Sequence, residues 1–256
     1  MKKVFVIFLC ALFATTIIYG QKKRVAVVTF YVDKYINADK IVETSRASTY
    51  KKTMEDDPRF DLRPILQNFH ETFLKDYVKK FPFELIPEEE VLNHEMFKAY
   101  KGLDGIESQD SIDNLNDAIN DRFISIEGYN VLLTGGNLLR SWRTESHLIK
   151  ILEDIDVDGV MFVYLHYAWE PKVAVGGLGN CGIRAYINMD LFNKESKKVF
   201  KLEEHATSKK GVALIQGAPI FNYDKLMPMC ESATDKLLDD LNKEIPKLIK
   251  KVDKKL

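Results

Sequence analysis

Three closely spaced β runs constrain this chain more than any other feature. Gly159 to Trp169, Ile183 to Phe192 and Lys198 to Ser208 are rich in β-branched and aromatic residues. Asn193 to Ser196 suits a tight hairpin between the last two. Runs this close in sequence predict an antiparallel meander. An earlier run, Arg24 to Val32, reads as a buried first strand.

Between that strand and the meander the period changes. Leu62, Ile65, Leu66, Phe69, Phe73, Tyr77 and Val78 recur at three- and four-residue steps, which predicts an amphipathic helix. Phe81 to Ile86 reads as a short strand. Pro87 opens another helix, with Glu88, Glu89 and Glu90 in its first turn where the macrodipole favours anions. Ser146 to Asp154 reads as a helix. The segment from Tyr223 to the end reads as another, built on Leu237, Leu238, Leu241, Ile245, Leu248, Ile249 and Val252 and kinked or broken at Pro246. Asp33 to Pro58 reads as a long loop with room for a short helix, and 102–130 as a polar excursion. The expected fold class is α/β (α+β), a mixed sheet with a C-terminal antiparallel meander, covered by amphipathic helices. No obvious linker divides residues 21–256, which are read as one domain.

Residues 1–20, MKKVFVIFLCALFATTIIYG, look like a secretory signal. Lys2 and Lys3 give a positive start, Val4 to Tyr19 an uncharged apolar run, and Gly20 a small residue for cleavage. The run falls short of the about 20 residues a comfortable span needs. Leu9 precedes Cys10, which argues against lipid anchoring there. The expected location is therefore periplasmic or extracellular, with a mature chain from about Gln21. Losing residues 1–20 removes two lysines and no acid, so the formal charge moves from -1 to -3, as 35 basic against 38 acidic residues. A slightly acidic chain has no global attraction to nucleic acid, and no nucleic-acid partner is expected. With 46% hydrophobic and 29% charged residues, the chain has the composition of an ordinary globular protein rather than a disordered one.

Several stretches imitate chemical motifs and lack the context those motifs need. Gly177, Gly179 and Gly182 match GxGxxG, but a strand follows where the helix of a dinucleotide site should begin. Asp154, Asp156, Asp158 and Gly159 start like a calcium loop, yet the twelfth position is Leu165 instead of Glu. An acidic turn between helix and strand is the plainer reading. His94 and Glu95 begin like HExxH, but the fifth residue is Lys98. His70, His147, His166 and His205 are scattered without ligand spacing. No metal site and no cofactor is expected. After processing two cysteines remain, Cys181 and Cys230, read either as a disulfide of an oxidising compartment or as two buried free thiols.

Tyr164, His166, Tyr167 and Trp169, followed by the glycine-rich Pro171 to Gly182 loop with Asn180, form a candidate recognition surface at one sheet end. The lysines of the closing helix, from Lys243 to Lys255, allow at most peripheral membrane contact; solvated lysines beside a core-docking stripe are the plainer reading.

RVAVVTF from Arg24, FELIPEEEVL from Phe83, DIDVDGVMFVYL from Asp154 and INMDLFNKESKKVF from Ile187, in that order, resemble the curli-pore, penicillin-binding-protein-activator and TolB-amino-domain group of envelope proteins. The resemblance implies an assembly or binding factor and transfers no catalytic residues. Two functions are thus carried forward. One is a secreted or periplasmic, non-enzymatic accessory protein that binds an envelope protein or glycan. The other is a secreted hydrolase with a site near His166 and the 171–182 loop.

Overall fold

The structure, a computed structural model, describes residues 22–41, 57–99, 117–119, 121–133, 152–220 and 223–249. The signal-like segment and most of the polar excursion lie outside them. So does most of the helix read at Ser146 to Asp154.

The fold is mixed α+β. Eight strands form one sheet: β1 (Arg24–Asn37), β2 (Glu84–Leu85), β3 (Phe123–Ser125), β4 (Gly159–Val175), β5 (Leu178–Asn193), β6 (Lys198–Thr207), β7 (Val212–Ile215) and β8 (Ala218–Pro219). The main path runs β2-β1-β4-β5-β7-β8, with β3 paired to β1 and β6 to β5. β1 is parallel to β2 and β4, and every later pairing is antiparallel. The expected meander is β4-β5-β6. Described helices are α1 (Arg63–Thr72), α2 (Glu88–Leu92), α3 (Glu95–Ala99) and α4 (Tyr223–Ile249). A π-helical turn at Phe73–Tyr77 and a 3-10 turn at Val78–Lys80 continue α1.

A bulge in β1 decides which of its side chains share a face. In β1, Val27 sits opposite Met161 and Thr29 opposite Phe162, so Val28 is the extra residue. Val25 and Val27 before it, and Phe30 and Val32 after it, therefore join one core. That core lies under α1 and α4 and includes Phe69, Leu237 and Leu241. Burying each such side chain contributes roughly 1.5–3 kcal/mol. Ala26, Val28, Phe162 and Phe192 join a smaller core on the opposite face with Val91 of α2 and Phe97 of α3.

Three readings need correcting. β1 continues five residues past Val32, because Ile36 and Asn37 pair with Tyr167 and Ala168. The Pro171 to Gly182 stretch is no loop but a β-hairpin arm, closed by Gly176 and Gly177 at φ +59 and +80 between Val175 and Leu178. Pro171 fits because β1 pairing has ended at Ala168 and a bulge at Lys172 follows. Of the kink or break read at Pro246, finally, the break is what falls, since α4 continues to Ile249. Proline there denies the Asn242 carbonyl its usual N–H, and Lys80 Nζ stands 3.5 Å from that oxygen.

Of the two cysteine readings, free thiols are found. Cys181 and Cys230 are both fully buried and unbridged. Each occupies its own packing site, and Cys181 Sγ points to the Val212 carbonyl at 3.8 Å. The acidic turn also has a structural task. Asp158 accepts the Arg24 backbone N–H at 2.8 Å and the Lys23 ammonium at 3.2 Å, fixing the start of β1 beside β4.

Candidate functional site

Strand alternation sends odd-numbered residues of β4 and β5, from Met161 to Trp169 and from Cys181 to Leu191, into the core under α1 and α4. Even-numbered residues occupy the opposite face. Its first rows, Val160, Phe162 and Phe192, are buried with α2 and α3. Farther along come Tyr164 and His166 of β4, Tyr186 and Asn188 of β5, and His205 of β6. His166 pairs with Tyr186, and Tyr186 with His205, so the three rings form one row across three strands.

The rings of this row contact one another. His166 lies on Tyr186 with centroids 4.7 Å apart and planes within 1°. Tyr186 meets His205 at 5.6 Å, and His166 meets Tyr164 at 6.0 Å. Tyr164 stacks in turn on Tyr31 of β1 at 5.4 Å and 6°. Phe123 of β3 closes the far end, edge-on to Tyr31 at 5.3 Å. Tyr31 is 4% exposed, Tyr164, His166 and Tyr186 are half-buried, and His205 is exposed. Rings stacked this closely cover each other's faces.

Electrostatics keep the row neutral at its centre. Burial pushes the His166 imidazole below its usual value, against the pull of Asp33 and Glu203. The Asn188 amide stands 3.3 Å from His166 Nδ1, so Nδ1 accepts and Nε2 carries the proton. Burial raises Tyr164 to about 12, with Asp190 and Glu203 adding to the effect. Arg122 clamps Asp33 through Nε at 3.1 Å and Nη2 at 2.6 Å. Asp190 is 3% exposed, with Oδ2 3.2 Å from Lys198 and Oδ1 without a hydrogen-bond partner among the described residues. The hydrogen bond His166 makes among the described residues goes to an amide, not to a serine, a cysteine or a carboxylate. Such a surface can donate and accept hydrogen bonds.

The five residues read as one surface are divided by the sheet. Tyr164 and His166 stand in the row, and Asn180 is exposed on the same face, out along the hairpin arm. Tyr167 and Trp169 are 0% and 2% exposed on the other side, where Tyr167 Oη lies 2.8 Å from Thr234 Oγ1. The reason is the strand period of two, which an aromatic cluster read along the sequence ignores. Tyr31, Tyr186 and His205 were missed. Tyr186 and His205 lie within segments read as strands, and the signal that could have found them was parity combined with register.

A second polar cluster was also missed. His70 of α1 donates to Glu88 Oε1 at 2.7 Å, and the Tyr129 hydroxyl donates to the same oxygen. Among the described residues no group of three or more His, Cys, Asp or Glu side chains is arranged to hold a metal ion.

No family model matches this chain, and no curated protein does. Among solved structures, the C-terminal domain of LpoB from Salmonella enterica is similar at a TM-score of 0.27 and 7% identity, over 73% of this chain and 85% of that one. This is a weak likeness at the level of fold.

Proposed function

We propose that this chain is an exported, non-enzymatic accessory protein of the cell envelope that binds another macromolecule, a protein or a glycan, on the open half of its sheet. The observation that carries the reading is the ring row from Tyr31 to His205. Mutual stacking fixes its side chains before any partner arrives, which lowers the ordering cost of association. The signal-like residues 1–20 supply the address. Among the described residues no helix is long and apolar enough to cross a membrane. The stripe of α4 is spent on the core, with Leu237, Leu238, Leu241 and Ile245 all buried, so a membrane-surface role through that helix loses its apolar face.

The test compares capture from envelope extract by the wild-type chain and by a Tyr186→Ala, His205→Ala variant. Both side chains are at least partly exposed, so circular dichroism and melting should match the wild type closely. A band or glycan fraction captured by wild type and lost with the variant is expected. Identical capture by the two proteins would remove the ring row from the binding surface.

A further inference from the structure

We propose that the cavity lined by the base of the β4-β5 hairpin arm, the end of β6 and α4 binds a phosphate-bearing anion. The cavity is open and measures about 500 Å3, within the size range of small-molecule sites. Lys172, Arg184, Lys209 and Lys236 line it against one carboxylate, Glu170. That carboxylate is already engaged, with Oε2 2.8 Å from Lys40 and Oε1 2.9 Å from Arg184. Four cations thus converge in a protein whose formal net charge is -1, so the cluster is local and not a reflection of overall basicity.

The cations are not equivalent. Lys172 donates to the carbonyls of Ser208, Lys209 and Lys210 at 2.7, 2.8 and 2.9 Å, which uses all three of its protons. It is a fixed charge in the wall and holds the turn that carries Lys209. The approach of its stem depends on Gly182, where a Cβ would fall 2.6 Å from Lys172 Cε and 2.9 Å from Ser208 Oγ. Arg184 is oriented by Thr207 Oγ1 at 3.1 Å. The ammonium groups of Lys209 and Lys236 have no ion-pair or hydrogen-bond partner among the described residues. Lys236 lies near enough to Lys172 to repel it. Fixed charge in the wall with two free donors at the mouth suits an anion of more than one charge, and a phosphate group supplies both the charge and the acceptor oxygens. A single carboxylate would leave most of this repulsion standing.

The experiment titrates the full chain with inorganic pyrophosphate by calorimetry at low ionic strength, and in parallel measures sedimentation with phosphatidylglycerol and phosphatidylcholine vesicles. Lys209→Ala with Lys236→Ala is the test variant, because both side chains can be truncated without touching the Lys172 anchor. Lys79→Ala, in the exposed 3-10 turn that follows α1 and outside the cavity lining, is the control. Saturable pyrophosphate binding that weakens about tenfold for each lysine removed, and is unchanged in the control, is expected. Binding to the anionic vesicles alone, lost with the double variant, would assign the phosphate to a lipid headgroup, and binding to pyrophosphate alone to a soluble source. Absence of both, or binding that survives the double variant, overturns the site. The ring-row variant keeps both lysines and should bind pyrophosphate normally, so failure of the partner surface and failure of this site are read separately.

Discussion

The hydroxyl of Tyr77 donates to the main-chain carbonyl of Leu238 at 2.7 Å, joining positions 161 apart in sequence. It ties the turn that follows α1 to the middle of α4, where both helices lie on one sheet face. Burial raises the Tyr77 phenol well above its usual value, so it acts only as a neutral donor. Tyr77→Phe keeps the ring and loses the bond. Stability should fall by about 1 kcal/mol, since the Leu238 carbonyl keeps its helical environment. Urea denaturation of the two proteins would measure this, and coincident curves would show that the helices hold together without the bond.

The Glu88 cluster should make stability depend on pH. Burial pushes the Glu88 carboxyl up, but hydrogen bonds from His70 and Tyr129 outweigh it and hold the group below 4.5. A carboxyl lowered by folding stabilises fully above its unfolded value and loses that contribution as pH falls through the folded one. Glu88→Gln should therefore cost about 1–3 kcal/mol near neutrality, because it weakens two charge-assisted bonds. The difference from wild type should shrink below pH 4.5. A gap that stayed constant into acid would mean that the carboxylate charge contributes nothing.

Both cysteines should behave as sealed thiols. Burial raises Cys181 to about 11, with Lys172 opposing, and raises Cys230 further. Since the thiolate is the reacting form, a thiol reagent near neutral pH should find neither in the native protein. Denatured, unreduced protein without residues 1–20 should release two thiols per chain, from Cys181 and Cys230. Finding none after denaturation would show a bridge in place of free thiols.

The glycines of the hairpin arm should separate by mechanism. A Cβ on Gly179 would lie 1.9 Å from the Val173 carbonyl oxygen and 2.8 Å from Ala174 Cα, so the backbone itself must move. Gly179→Ala should destabilise by about 3 kcal/mol or shift the register of the arm. At Gly176 nothing lies within 4 Å, and only its φ of +59 opposes a side chain. Gly176→Ala should cost about 1 kcal/mol. Thermal melts of the two variants would check the order, and equal effects would contradict the close strand crossing at Gly179.

How much was legible in the sequence differed by element. The stripe from Leu62 to Tyr77 announced its helix and its buried side, because the pattern is local and repeats over four turns. The β4-β5-β6 meander was equally plain. Arm residues 170–182 were not, since glycine and proline are ordinary loop signals and only pairing across the hairpin holds them extended. The ring row was half legible. Tyr164 and His166 were picked out with Tyr167 and Trp169, because an aromatic cluster read along the sequence ignores the strand period of two that turns Tyr167 and Trp169 to the other face.

Sequence by itself determined the elements whose stabilising pattern lies within a few turns or one hairpin, together with the charge balance and the signal-like start. Tertiary structure alone decided three things. It placed His166 against Tyr186, it gathered Lys172, Lys209 and Lys236 around one cavity, and it left two thiols buried and separate. Each depends on strand register or on a helix crossing the sheet. Those are set by contacts between residues far apart in the chain, and the local preferences of either partner do not contain them.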